Sequence, residues 1–97
     1  MISDKVTLII RFEVNTLRIP DLHFSILGND YSIPNKRTVT VTIDRGEYDI
    51  QLTIPFVEKK VKMNYHINLN TDKELDVGWN KFWGRLTVKE ITTHISL

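Results

Sequence analysis

The feature that most constrains this chain is a hydrophobic alternation with a period of two residues that persists along most of its length. Val6, Leu8, Ile10, Phe12 and Val14 alternate with Thr7, Arg11 and Glu13, and Val39, Val41 and Ile43 alternate with Thr38, Thr40 and Thr42. The pattern recurs where Tyr48, Ile50, Leu52 and Ile54 interleave with Asp49, Gln51 and Thr53. It recurs again where Val61, Met63, Tyr65, Ile67 and Leu69 interleave with Lys60, Lys62, Asn64, His66 and Asn68. Successive side chains of an extended strand point to opposite faces, so each run is a strand with one apolar and one polar face. The threonines suit an exposed pleated surface because they are β-branched. No apolar stripe of helical spacing and useful length competes with this pattern.

Turn-forming residues punctuate the runs at Pro20-Asp21, Gly28-Asn29-Asp30, Pro34-Asn35, Asp44-Arg45-Gly46, Asn70-Thr71-Asp72 and Asn80-Lys81. They divide the chain into about seven or eight strands. Leu22 to Leu27 and Tyr31 to Ile33 read as a hairpin closed by Gly28-Asn29-Asp30. Lys73 to Trp79 and Arg85 to Glu90 are the last two strands, with Ile91 to Leu97 extending the final one. One-sided strands must bury their apolar faces against a second sheet, so the expected fold is all-β, an antiparallel β-sandwich. With 97 residues, of which 41% are hydrophobic, the chain holds one core, and residues 1–97 are expected to form one domain.

One stretch is more specific. Asp44-Arg45-Gly46-Glu47-Tyr48-Asp49-Ile50 resembles the Asp-x-Gly-x-Tyr corner of immunoglobulin-like sandwiches, and it is similar to the glycine-turn-strand of short bacterial PEGA-type modules and fibronectin-like domains. The resemblance covers this corner and its flanking strands. It implies that Tyr48 ties the chain as it crosses between sheets, that Ile50 stands where a disulfide cysteine would, and that the topology is immunoglobulin-like or a related Greek key. The chain continues further beyond the corner strand than an immunoglobulin domain does, so the sandwich carries over and the full topology does not. A plain hairpin is the alternative, with Ile43 opposite Tyr48 across the loop Asp44 to Glu47. The corner is favoured because a buried tyrosine hydroxyl needs an acceptor, which backbone near Thr42 to Arg45 would supply. Gly46 is expected at positive φ in both readings.

Several function classes lack their residues. The chain has no cysteine, which removes disulfides, thiolate metal sites and a cysteine nucleophile. Gly28, Gly46, Gly78 and Gly84 are isolated, so no phosphate-cradling loop is formed, and His23, His66 and His94 stand in no metal-binding spacing. No enzyme activity, cofactor or metal is therefore expected. A formal charge of +1 gives no strong nucleic-acid signal. No apolar run reaches membrane-spanning length, and the first residues do not read as a secretory leader, so a cytoplasmic location is the default expectation.

Two surfaces remain as candidate sites. A loop Thr71-Asp72-Lys73 would set Asn70 opposite Glu74, Asn68 opposite Asp76 and His66 against Gly78. The result would be a polar strip of Asn64, His66, Asn68, Asn70, Glu74 and Asp76, suited to a hydroxylated ligand or a hard cation such as calcium, or simply to a solvated sheet face, which a flat spread of oxygens favours over a cation site. The other surface is Gly78-Trp79-Asn80-Lys81-Phe82-Trp83-Gly84, which holds both tryptophans of the chain. Continuing the alternation of Leu75 and Val77 turns Trp79 inward, where it would be structural, as Tyr48 and Gly46 are at the corner. Phe82 and Trp83 are consecutive and cannot both face one core, so at least one is expected at the surface beside Asn80, Lys81 and Arg85. Lys59, Lys60 and Lys62 add positive charge nearby. The resulting expectation is a non-enzymatic binding or structural module, contacting another protein through the aromatic turn or an open sheet edge, which would also allow oligomerisation. The alternative is a module that binds a glycan or another small polar ligand.

Overall fold

The computed structural model describes residues 4–15, 19–80 and 82–92. These residues form eight strands and no helix: β1 (Lys5–Phe12), β2 (Leu22–Ile26), β3 (Asn29–Ile33), β4 (Arg37–Asp44), β5 (Gly46–Pro55), β6 (Lys60–Leu69), β7 (Lys73–Asn80) and β8 (Arg85–Thr92). The expected extension over the last residues reaches Thr92, and residues 93–97 lie outside those described. One four-stranded sheet has the order β4-β1-β7-β8 and the other β3-β2-β5-β6. The alternating apolar residues of both close on each other: Leu8, Ile10 and Phe12 of β1 and Leu75 of β7 lie opposite Leu22 of β2 and Ile50, Leu52 and Ile54 of β5, all fully buried.

The pairing is not antiparallel throughout. β1 and β7 run parallel, in register from Leu8 with Lys73 to Phe12 with Val77. Successive strands alternate in direction, so two odd-numbered strands that become neighbours must be parallel. The sequence-based expectation of purely antiparallel sheets fails at this one seam.

The corner of β4 and β5 has the tyrosine geometry. β4 lies in the first sheet and β5 in the second, with Arg45 alone between them. The Tyr48 hydroxyl donates to the Asp44 carbonyl at 2.6 Å. Ile43 pairs with Val6 and Tyr48 with Ile67, which rules out the plain hairpin. Gly46 has φ +154°, a conformation that L-residues rarely adopt, and a Cβ there would stand 3.7 Å from the Tyr48 hydroxyl. Tyr48 itself is half-buried rather than buried, because its ring covers the end of the sandwich and not its middle.

The β2–β3 hairpin also differs from its expected form. Ile26 pairs with Asn29, so the turn is Leu27-Gly28, while Asn29 and Asp30 belong to the strand. Both turn residues have positive φ, 52° and 75°, as a type I′ turn requires. Register is fixed from the strands: Phe24 stacks on Tyr31 at 4.7 Å, buried Leu22 pairs with buried Ile33, and the Ser25 hydroxyl donates to Asp30. Those contacts outweigh the cost of a left-handed leucine.

Alternating strand direction sorts the connections into two ends, far apart in a body of 50 × 30 × 19 Å. The β2–β3, β4–β5 and β6–β7 connections share one end, hereafter the corner end. The β1–β2, β3–β4, β5–β6 and β7–β8 connections share the other, the aromatic end.

Candidate functional site

At the aromatic end β7 and β8 close on the pair Asn80 and Arg85, leaving residues 81–84 as the loop. The Asn80 side-chain oxygen accepts from the backbone N–H groups of Phe82 and Trp83 at 3.0 and 3.2 Å, and the Gly84 N–H donates to the Asn80 carbonyl at 2.8 Å. Gly84, at φ +61°, supplies the left-handed residue that ends such a loop. Asn80 thus holds the turn and has little amide oxygen left for a ligand. Lys81 lies outside the described residues. Phe82 is 86% exposed and Trp83 74%, so both project, where parity required only one. Neither is in an extended strand, which is why the two-face rule underestimates their exposure.

Trp79 is half-buried, not fully inward. Its pairing with Leu86 lies one rung from the end of the ladder, where the second sheet no longer covers it completely. Its ring packs against the core and meets Phe56 at 5.0 Å between centroids. Pro20, Phe56, Val57, Glu58, Lys59 and Trp79 line a mostly apolar hollow of about 390 Å³. Of these, Val57, on the β5–β6 connection, is fully exposed at 104%. The sequence reading missed Val57 because it stands outside every alternating run. The available signal is an apolar residue directly after Phe56, out of phase with the alternation of Tyr48, Ile50, Leu52 and Ile54.

The predicted polar strip does not exist as one surface. β6 belongs to the second sheet and β7 to the first, so Asn64, His66 and Asn68 are separated from Glu74 and Asp76 by the whole sandwich. Asn70 lies beyond β6 in the connection, where its carbonyl accepts from the Arg45 guanidinium at 2.7 Å. His66 faces Asp49 instead of Gly78, with Nδ1 at 2.8 Å from Asp49 and Nε2 at 3.4 Å from Glu47. These hydrogen bonds, that to Asp49 first, hold the imidazole pKa above its ordinary value. The strip requires β6 to pair with β7, and β6 pairs with β5 instead.

On the outer face of the first sheet Arg11, Glu13, Asp76, Gly78, Thr87 and Lys89 border a shallow groove of about 400 Å³. Gly78 packs closely against Thr87 in its lining, since a Cβ there would lie 2.9 Å from the Thr87 hydroxyl oxygen. One Asp76 carboxylate oxygen is buried without a hydrogen-bond partner among the described residues. Elsewhere Glu90 ties the sheets together, accepting from the Tyr65 hydroxyl at 2.6 Å and lying 2.6 Å from the Lys73 ammonium. The same pair of bonds, Lys73 first, lowers the Glu90 pKa, and the bond to Glu90 pushes the Tyr65 phenol up to about 12. No group of acidic and histidine side chains among the described residues is arranged to hold a metal ion.

A two-sheet, eight-stranded all-β sandwich is the class that fold and surface define. Comparison with protein-family models, with curated proteins and with solved structures finds no match to this chain.

Proposed function

We propose that this chain is a non-enzymatic docking module whose contact surface is its aromatic end. The observation that carries the reading is the projection of Phe82, Trp83 and Val57 into solvent from two loops of the same end. Large apolar side chains held this far out are costly to leave in water, and aromatic anchors dominate the energetics of contact surfaces. The sheet edges support docking less well: edge strand β6 begins with Lys60 and carries Lys62, charges that discourage added strands. The glycan reading has lost its amide-rich strip and retains only the exposed indole. An immunoglobulin-like relationship is supported by the tyrosine corner alone. The strand order places β1 and β2 in opposite sheets, whereas the constant-type immunoglobulin arrangement keeps its first two strands together.

Site-specific photocrosslinking in the native cell tests the reading. A photoreactive residue at position 83 is expected to give adducts, and one at Arg45, at the corner end, is expected to give few. Equal labelling at both positions, or none at position 83, would overturn it.

A further inference from the structure

The charges of the two ends differ as strongly as their apolar residues do. Lys36, Arg37, Lys59, Lys60, Lys62 and Arg85 lie at or next to the aromatic end, opposed there by Glu13, Asp21 and Glu58. None of those six cations has an ion-pair partner among the described residues. Towards the corner end Asp4, Asp30, Asp44, Glu47, Asp49 and Asp72 outnumber the cations, and those cations are engaged: Lys5 with Asp44 at 2.8 Å, Lys73 with Glu90 and Arg45 with the Asn70 carbonyl. A chain of formal charge +1 is therefore electrically bipolar, basic where it is aromatic and acidic at its far end.

We infer that the partner docked by the aromatic end is an anionic membrane surface, into whose headgroup layer Val57, Phe82 and Trp83 insert while the surrounding lysines and arginines face the lipid phosphates. The inference rests on the docking reading above and names its partner. Exposures of 104, 86 and 74% mean that the three side chains stand out from the body and do not form a flat patch on it. A rigid partner would have to offer a matching pocket to each, but a headgroup layer receives all three at once. Tryptophan is favoured at that depth because its ring is apolar and its N–H remains hydrogen-bonded. Apolar insertion by itself gives marginal attachment, and a basic surround supplies the second contribution that anionic lipid attracts. The field of the acidic far end turns the basic end towards a negative plane before contact is made.

Co-sedimentation of the whole chain with vesicles tests this. Vesicles of phosphatidylcholine mixed with phosphatidylserine are expected to carry the protein down, with added salt releasing it, and phosphatidylcholine alone is expected to leave it in solution. Trp83 emission should shift to the blue on binding, and nitroxide-labelled lipid should quench it. The double variant F82A/W83A should bind about tenfold more weakly or worse. K59Q and R85Q should each weaken binding by about fivefold. All of these side chains are exposed, and unchanged thermal unfolding checks that the variants fold.

Absence of binding to anionic vesicles, binding indifferent to phosphatidylserine, or full binding by F82A/W83A would overturn the inference. If vesicles fail while position 83 still crosslinks to a protein or a nucleic acid, the membrane falls and the docking reading stands. If position 83 gives no adduct of any kind, both fall. Salt-sensitive assembly of the chain with itself, seen by sedimentation velocity and abolished by F82A/W83A, would identify the acidic end of a second copy as the occupant and so contradict the membrane.

Discussion

The two ends of the sandwich are built from the same strands and differ in what most of their exposed side chains do. At the corner end the polar groups are satisfied internally. Tyr48 donates to Asp44, the Arg45 N–H to the Asp4 carbonyl, and the Thr7 N–H to the Asp72 carboxylate at 2.8 Å. At the aromatic end apolar side chains face outward, together with cations that have no ion-pair partner among the described residues, and Asn80, the last residue of β7, holds the turn that displays Phe82 and Trp83. A chain gains nothing in folding from holding Phe82, Trp83 and Val57 in water. The contrast therefore separates groups that keep the fold from groups that do not, and the second set is where a function would lie.

The largest expected effect separates the two tryptophans. Trp79→Ala should cost about 2–3 kcal/mol in urea unfolding, less than for a fully buried tryptophan because its ring is only half-covered. Trp83→Ala should stay within about 0.5 kcal/mol of the parent. Similar losses for both would break the contrast, since Trp83 would then belong to the fold.

The corner end should respond next. Tyr48→Phe removes the hydroxyl bond and should cost about 1 kcal/mol, and Gly46→Ala should cost a similar ~1 kcal/mol through its backbone angle. Unchanged midpoints for both would mean that the corner does not hold the chain. Leu27 sharpens the comparison from the other side. It lies at the corner end, is 66% exposed and has positive φ, so Leu27→Asn should stabilise the protein by about 0.5–1 kcal/mol. A loss of stability would show that this leucine has a structural contact.

The smallest effect is the pH dependence. The raised pKa of His66 means that its contribution is complete below the unfolded value of 6.5 and is lost as pH rises through the higher folded value. The lowered pKa of Glu90 gives the opposite sign: its contribution is present above 4.5 and is lost as pH falls through the lower folded value. Unfolding midpoints followed across these two windows should therefore decline on both sides, and His66→Gln should remove the neutral-side decline while leaving the acid side. An unaltered neutral-side decline in that variant would assign it to another group.

What the sequence makes legible is whatever local alternation determines. The inward faces of β1, β2, β4 and β5 follow directly from it, because a period of two admits only one assignment once a face is buried. The crossing at Arg45 is legible for a different reason, since few residue sequences supply both a positive φ and a tyrosine two residues later. Which strand lies beside which is not local. A strip from Asn64 to Asp76 needs neighbours in sequence to pair in space, and β6 and β7 instead enter different sheets. Clustering of Val57 with Phe82 and Trp83 at one end, and the sorting of charge between the ends, likewise exist only once the direction of every strand is known.

Docking through the aromatic end requires that this end present an exposed indole within a positive field. Fluorescence quenching of the variant Trp79→Phe, in which Trp83 is the sole tryptophan, tests it with an anionic and a cationic quencher. Iodide should quench Trp83 strongly and caesium weakly, with the difference shrinking as salt is added. Shielding from both ions, or stronger quenching by caesium, would contradict the claim.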